Sequence, residues 1–232
     1  MNARSTSMAT REPQYQRCVD LREKSGLSPL GLGTNQLWND DPRHLSFLLA
    51  RYKFVAKMFS GLGNVLEVGC GDAFGTRLVL QEVGAVTAVD FDPLFIKDAK
   101  TRVTKEWPFT PLIHDMLSGP VPGAFDGAFS LDVLEHIQPN QENAFLKNIV
   151  RSLTREGVLI VGMPSLESQV HASPISKAGH VNCKTGPDLR TCLSNFFHNV
   201  FVFSMNDEVV HTGFHPMAHY LLALCCSRKR IR

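Results

Sequence analysis

NVLEVGCGDAFGTRLVLQEVGAVTAVD, residues 64–90, is the stretch that decides how this chain folds. Residues 65–68 predict a buried strand that breaks into a tight turn at Gly69, Cys70, Gly71 and Asp72. A helix to about residue 83 follows, then a second strand over 85–89 that ends on Asp90. Gly69 and Gly71 have no Cβ, so the chain can turn sharply and a ligand can lie against the backbone. The amides that open the next helix point into that space, where the helix dipole favours negative charge. Asp90 stands 21 residues after Gly69 at the tip of the neighbouring strand, where a carboxylate can accept both hydroxyls of a ribose. Strand, glycine turn, helix and acid-tipped strand make the mononucleotide-binding half of a doubly wound α/β sheet.

The turn departs from the dinucleotide fingerprint in two places. Where G-x-G-x-x-G wants a third glycine there is Phe74, with Gly75 one position later. Glu67 stands two residues before the first glycine, where a pyrophosphate gains nothing from negative charge. An acid there suits a cofactor bearing a cationic amine or sulfonium. VLEVGCGDAFG, residues 65–75, resembles the first motif of the class I S-adenosylmethionine-dependent methyltransferases, E/D-x-G-x-G. An NAD-dependent oxidoreductase shares the fold and is the alternative of another class; Phe74 and Glu67 argue against it.

At 232 residues, with 44% hydrophobic and 20% charged residues, the chain suits one soluble α/β domain with a short extension. A net charge of +2 gives no reason to expect a nucleic-acid partner, and the dense basic run at 228–232 reads as a solvated tail. Six cysteines show neither C-x-x-C nor zinc-ligand spacing, which suits reduced thiols in the cytoplasm. No secretory leader and no apolar run of membrane-crossing length is expected.

Residues 1–36 are polar and without period; they predict an arm, partly disordered or closing over the site, ahead of a domain over 37–232. Trp38 and the acids before Pro42 predict the start of a helix that runs to about residue 59. Further elements are expected as a helix from Pro93 to about residue 106, a strand within 108–116, and a strand over 125–131. A helix over 140–153, with Gly157 in its exit turn, and a strand over 158–163 follow. Residues 164–184 have little periodicity, the mark of a functional or mobile loop. A helix from Thr185 and strands over 200–204 and 219–226 close the chain, the last two joined by a polar connection. The resemblance implies a Rossmann-like, mostly parallel seven-stranded sheet with helices on both faces, in the order 3-2-1-4-5-7-6 with strand 7 antiparallel.

The same resemblance assigns residues to the cofactor S-adenosylmethionine. Glu67, Gly69, Cys70 and Gly71 cradle its methionine part; Asp90 takes the ribose; Phe91 lies against adenine; Asp115 and Met116 hold the adenine edge; Leu131 and Asp132 flank the sulfonium. Arg43 and Arg51, both on the helix expected after Pro42, are candidates to reach the cofactor's carboxylate. Asp132, Glu135 and His136 form the D-x-x-E-H segment that, in many small-molecule methyltransferases, sits beside the transferring methyl. His136 is the expected general base. With His180 the same three residues resemble the divalent-cation ligands of small-RNA 2′-O-methyltransferases and ubiquinone-pathway O-methyltransferases, an alternative weighed but not favoured. The expected acceptor is a hydroxyl of a sugar or other metabolite, with amine N-methylation next and RNA 2′-O-methylation behind both. Neither a membrane nor a nucleic-acid partner is expected, and a homodimer is compatible with the sequence.

Overall fold

The structure, a computed structural model, describes residues 9–230. The chain divides into two compact units after Leu30. Within the first, a single 3-10 turn leads into helix α1 (Gln16–Ser25), which ends on Gly26 in the left-handed region (φ 73°) and buries no side chain. The arm expected over residues 1–36 is therefore shorter at its inner end, and its first eight residues lie outside the described ones. Residues 31–36 belong to the second unit because helix α2 (Leu32–Asp40) is fastened there. The Thr34 amide and hydroxyl donate to the Asp72 carboxylate at 2.7 and 3.2 Å, just past the glycine turn. Trp38, expected to open a helix, sits near the end of α2; Pro42 then caps α3 (Arg43–Met58).

The second unit continues β1 (Asn64–Val68), α4 (Thr76–Leu80), β2 (Ala85–Asp90), α5 (Pro93–Lys100), β3 (Thr110–Ile113), β4 (Phe125–Leu131), α6 (Glu142–Ser152) and β5 (Leu153–Pro164). It ends with α7 (Pro174–Gly179), α8 (Gly186–Ser194), β6 (Phe197–Asn206), β7 (Val209–His211) and β8 (Tyr220–Arg228). One sheet holds all eight strands in the order β3-β2-β1-β4-β5-β8-β6-β7. β1 to β5 pair in parallel, and β8 runs antiparallel between β5 and β6. The expected seven-strand order is present, with β8 as its antiparallel seventh strand.

The eighth strand, β7, is an edge hairpin added to β6 where the sequence suggested only a polar connection. Asn206 pairs Val209 across a two-residue turn whose first residue, Asp207, adopts φ 50°, a conformation Asp tolerates better than most residues. Gly157 does not simply end α6 either. β5 begins at Leu153, but residues 154–157 bulge out of register between Phe125↔Leu153 and Gly127↔Val158.

Both sheet faces are covered. On one, Phe145, Leu146 and Ile149 of α6 and Leu189 and Leu193 of α8 pack on Leu66, Ala128 and Leu159. On the other, Tyr52, Val55 and Phe59, Val79 of α4 and Ile96 of α5 pack on Val65, Ala88 and Phe129. Burial on both faces explains why β4 is buried at six of its seven positions, as parallel central strands require. Each fully buried large side chain stabilises this sandwich by about 1.5–3 kcal/mol.

Candidate active site

Gly69 ends β1 at φ 74°, and a Cβ built on it would lie 2.3 Å from Val133 Cγ2. The turn can therefore sit against the tip of β4 only as glycine. Gly75 has the same role one helix on: its Cβ would overlap the Tyr52 ring at 2.4 Å, so its absence lets α3 close onto α4. That contact carries the Tyr52 hydroxyl to Glu67 Oε1 at 2.7 Å, while the Thr76 hydroxyl meets Oε2 at 2.6 Å. Glu67 is 1% exposed. Burial pushes its carboxyl up to about 7, with Asp72 and Asp90 adding to the rise and the two hydroxyls opposing it.

Two cavities open along the carboxyl ends of the strands and share Gly69, Gly71, Phe95, Asp132 and His136, so they are branches of one forked cleft. The branch over β2 and β4, about 650 Å³, is lined by Asp90, Phe91, Asp115 and Met116. The other, about 520 Å³, runs toward α2 and α3 past Cys70, Leu131, Arg51, Glu135 and His180. The cleft thus gathers the site residues read from the sequence, with two exceptions, Glu67 and Arg43. Glu67 lines neither branch; its oxygens are held by Tyr52 and Thr76, so it braces the turn from beneath.

Other expected residues carry contacts of their own. Asp90 Oδ2 accepts from the Gly71 amide at 3.0 Å and Oδ1 from the Asp92 amide at 2.9 Å, which locks the strand tip to the glycine turn. Asp115 Oδ1 accepts from the Leu117 amide as a turn cap. Phe91 stands 73% exposed, a free ring face at the mouth. Arg51 does not project free. Its Nη1 lies 2.9 and 2.8 Å from the two Asp132 oxygens, and its guanidinium stacks 3.8 Å above the Tyr220 ring. Arg43 is exposed and paired with Asp41, away from the cleft lining.

Asp132 takes φ 57°, and this turn aims the following 3-10 turn, Leu134–His136, back into the cleft. The carbonyl of Glu135 accepts from the amides of Val181 and Asn182, so the strand tip and the 164–184 segment are pinned together. That segment contains a 3-10 turn and α7, not a structureless loop. The ring tautomers follow from it. His136 Nδ1 faces the Gly179 carbonyl at 3.0 Å; a carbonyl only accepts, so Nδ1 carries the proton and the Nε2 lone pair is left over. His180 Nδ1 faces Gln169 Oε1 at 2.8 Å, and the Gln169 amide is oriented by Nε2 donating to the Ser165 carbonyl. His180 therefore also keeps a free Nε2. Burial lowers its pKa, with the neighbouring His136 ring adding to the fall. Glu135 is buried, its Oε2 has no hydrogen-bond partner among the described residues, and burial beside Asp132 raises its pKa well above the carboxylate range. One donor atom each from Glu135, His136 and His180 lie within 4.8 Å of one another, a set that can hold a cation.

The sequence profile of a methyltransferase-domain family matches residues 66–161, the run from β1 through β5 that builds this cleft. Residues 66–161 are a methyltransferase domain of the class I S-adenosylmethionine-dependent type. Among relatives of the methyltransferase domain, the mitochondrial ubiquinone biosynthesis O-methyltransferase of Schizosaccharomyces pombe is 28% identical over 127 residues, 53% of this chain and 45% of that protein. The ubiquinone biosynthesis O-methyltransferase of a Caulobacter strain is 29% identical over 149 residues, 60% of this chain and 57% of its own length. The chain thus spans about half the length of these relatives. The fold is shared with the N-methyltransferase NodS of Bradyrhizobium japonicum in complex with S-adenosylhomocysteine. There the TM-score is 0.62 at 20% identity, over 82% of this chain and 90% of that one.

The methyltransferase domain fits its family's cofactor at the turn. Gly71 at φ 51° leaves bare backbone toward the cleft, where an added Cβ would find only Phe95 at 4.0 Å. Asp90 accepts one bond at each oxygen and retains lone pairs that can accept more. Sequence reasoning missed Tyr52, Thr76, Asp72 and Thr34, which brace the turn; only the three-dimensional approach of α2 and α3 reveals them. Among the described residues no helix is long and apolar enough to cross a membrane.

Proposed function

We propose that this chain transfers the methyl group of S-adenosylmethionine to a hydroxyl of a small-molecule acceptor, with His136 removing the acceptor's proton. The observation that carries this reading is the forked cleft, whose shared wall is Gly69, Gly71, Asp132 and His136. A donor seated in the Asp90 branch and an acceptor in the α2–α3 branch meet at that wall. When bound, S-adenosylmethionine supplies a methyl on a sulfonium, an electrophile strong enough that the protein mainly aligns the acceptor and manages its proton. His136 suits the proton step because its Nδ1–H is committed to Gly179, leaving Nε2 free to accept. Asp132, fixed by Arg51, keeps a negative charge facing the sulfonium end.

A second reading rests on the convergence of Glu135, His136 and His180. Those residues would hold a divalent cation, which supplies Lewis-acid activation of an acceptor hydroxyl. The unpartnered Glu135 Oε2 and the two free Nε2 atoms favour it; Asp132, taken by Arg51, would stand outside the set.

Calorimetry with S-adenosylhomocysteine is expected to give one saturable site, weakened at least tenfold by Asp90→Ala. Saturation by NADH with no heat from S-adenosylhomocysteine would overturn the reading. The acceptor is sought by incubating protein, a metabolite extract and methyl-deuterated S-adenosylmethionine, then identifying labelled products by mass spectrometry. Labelled ethers support the hydroxyl reading, and labelled amines replace it by N-methylation. Transfer abolished by EDTA and restored by magnesium or manganese supports the cation; full transfer in EDTA removes it.

A further inference from the structure

At the opposite edge of the sheet from the cleft lies a third cavity of about 890 Å³, lined by Arg151, Leu153, Arg155, His198, Arg228, Lys229 and Arg230. The length of β4, seven residues or about 20 Å, separates the two edges. Five permanent cations and a histidine face this space, and no acid lines it among the described residues. The concentration is local. The five leave 19 Lys and Arg against 22 Asp and Glu in the rest of the chain, so the remainder is acidic.

Two of the cations are held in place by neutral acceptors. Arg228 Nη1 donates to the carbonyls of Leu153 and Thr154, and Lys229 Nζ donates to the carbonyl of Ser194. Carbonyls orient these side chains without cancelling their charge. Arg155 is carried into the cavity by the bulge at residues 154–157. Its ion pair with Glu156 at 3.7 Å joins two side chains that are 88% and 89% exposed and is too weakly held to neutralise it. Cations gathered within one Debye length repel one another, and their mutual cost is relieved when an anion enters. Arginine forks match tetrahedral oxyanions through paired donors. The lining offers no aromatic platform other than His198, so bases or other flat groups have little to stack on.

We propose that this cavity is a binding site for an oligophosphate group, distinct from the methyl-transfer cleft. Its breadth and its five cations suit two or three linked phosphates better than one. The charge run at the end of the sequence, which reads as a solvated tail, thus becomes half of a site whose other half is supplied by α6, the β5 bulge and the start of β6.

The test is calorimetry on the full chain near physiological ionic strength, with S-adenosylhomocysteine present to saturate the glycine turn. Inorganic triphosphate is expected to bind one site at least tenfold more tightly than orthophosphate, with affinity falling as salt rises. The triple variant Arg151→Gln, Arg155→Gln, Arg230→Gln should lose at least tenfold in triphosphate affinity while keeping the wild-type melting temperature and S-adenosylhomocysteine binding. Absence of triphosphate binding at millimolar concentration, or equal binding by wild type and the triple variant, would overturn the proposal. So would capture of a single-stranded oligoribonucleotide or of phosphatidylglycerol vesicles that triphosphate fails to displace, since the face would then serve a macromolecule or a membrane. Because the readout is binding and not transfer, its failure leaves the methyltransferase reading untouched.

Discussion

Replacing Glu67 by Gln tests the account of the glycine turn most directly. Burial lifts the folded-state pKa of this carboxyl from an ordinary 4.5 to about 7. Below pH 4.5 the acid is neutral whether folded or unfolded, and its full contribution to stability is present. As pH rises, the unfolded chain releases the proton while the folded chain keeps it, so stability falls until the pH passes about 7 and then levels off. A gap of that size corresponds to roughly 3 kcal/mol at pH 8.

Glutamine is neutral at every pH. Its Oε1 can accept from the Tyr52 hydroxyl and its Nε2 can donate to Thr76 Oγ1, so the two bonds seen at 2.7 and 2.6 Å are kept with one direction reversed. Reversal leaves the Thr76 hydroxyl proton short of an acceptor, a loss of about 1 kcal/mol. Net, Glu67→Gln is expected to be about 2 kcal/mol more stable than wild type at pH 8, a rise of roughly 4–8 °C in melting temperature for a chain of this size. By pH 5 the advantage should be gone. Thermal and urea melts of both proteins at pH 5, 6, 7 and 8 measure it. A variant less stable than wild type at pH 8, or an advantage unchanged between pH 5 and 8, would refute the claim that this carboxylate is destabilised by its burial.

Three further outcomes follow from the cleft. His136→Ala should bind S-adenosylhomocysteine as wild type does but slow transfer by ~10²-fold or more once an acceptor is in hand; an unchanged rate removes it as the base. Gly69→Ala, which forces φ 74° on a residue with a Cβ and overlaps Val133, should cost about 1–3 kcal/mol in urea unfolding, and a neutral result would show that the turn can relax. Arg51→Met strands Asp132 half-buried without its partner and should destabilise by roughly 1–3 kcal/mol. Adding Asp132→Asn should recover part of that loss, and strict additivity in the double-mutant cycle would deny that the two side chains act as a pair.

What was legible in the sequence is what local pattern dictates. Residues 64–90 carry strand, turn, helix and strand in their own periodicity and glycine spacing, and the family resemblance they carry implied the sheet order. Asp132 and His136 were legible for the same reason, standing directly after the apolar strand over 125–131. The bracing of Glu67 was not legible, because it depends on Tyr52 arriving from a helix that precedes it in the chain. The position of Arg51 was similarly hidden: spacing locates it on a helix, but only packing brings Asp132 and Tyr220 to its guanidinium. Helix α2 could not be read because its anchor is Asp72, 38 residues downstream of Thr34. The β6–β7 hairpin escaped notice since its turn, Asp207-Glu208, lacks the glycine that normally announces one.

The two amide-to-carbonyl bonds from Val181 and Asn182 to Glu135 have an evolutionary corollary. Because they yoke the segment after β5 to the tip of β4, changes there shift Glu135 and the neighbouring His136 together. Residues Gln36, Leu37, His44 and Phe47, on α2 and α3, line the same chamber without that tether. On the reading proposed above, acceptor preference can drift through those helices, one lining residue at a time, while the tip of β4 stays as it is.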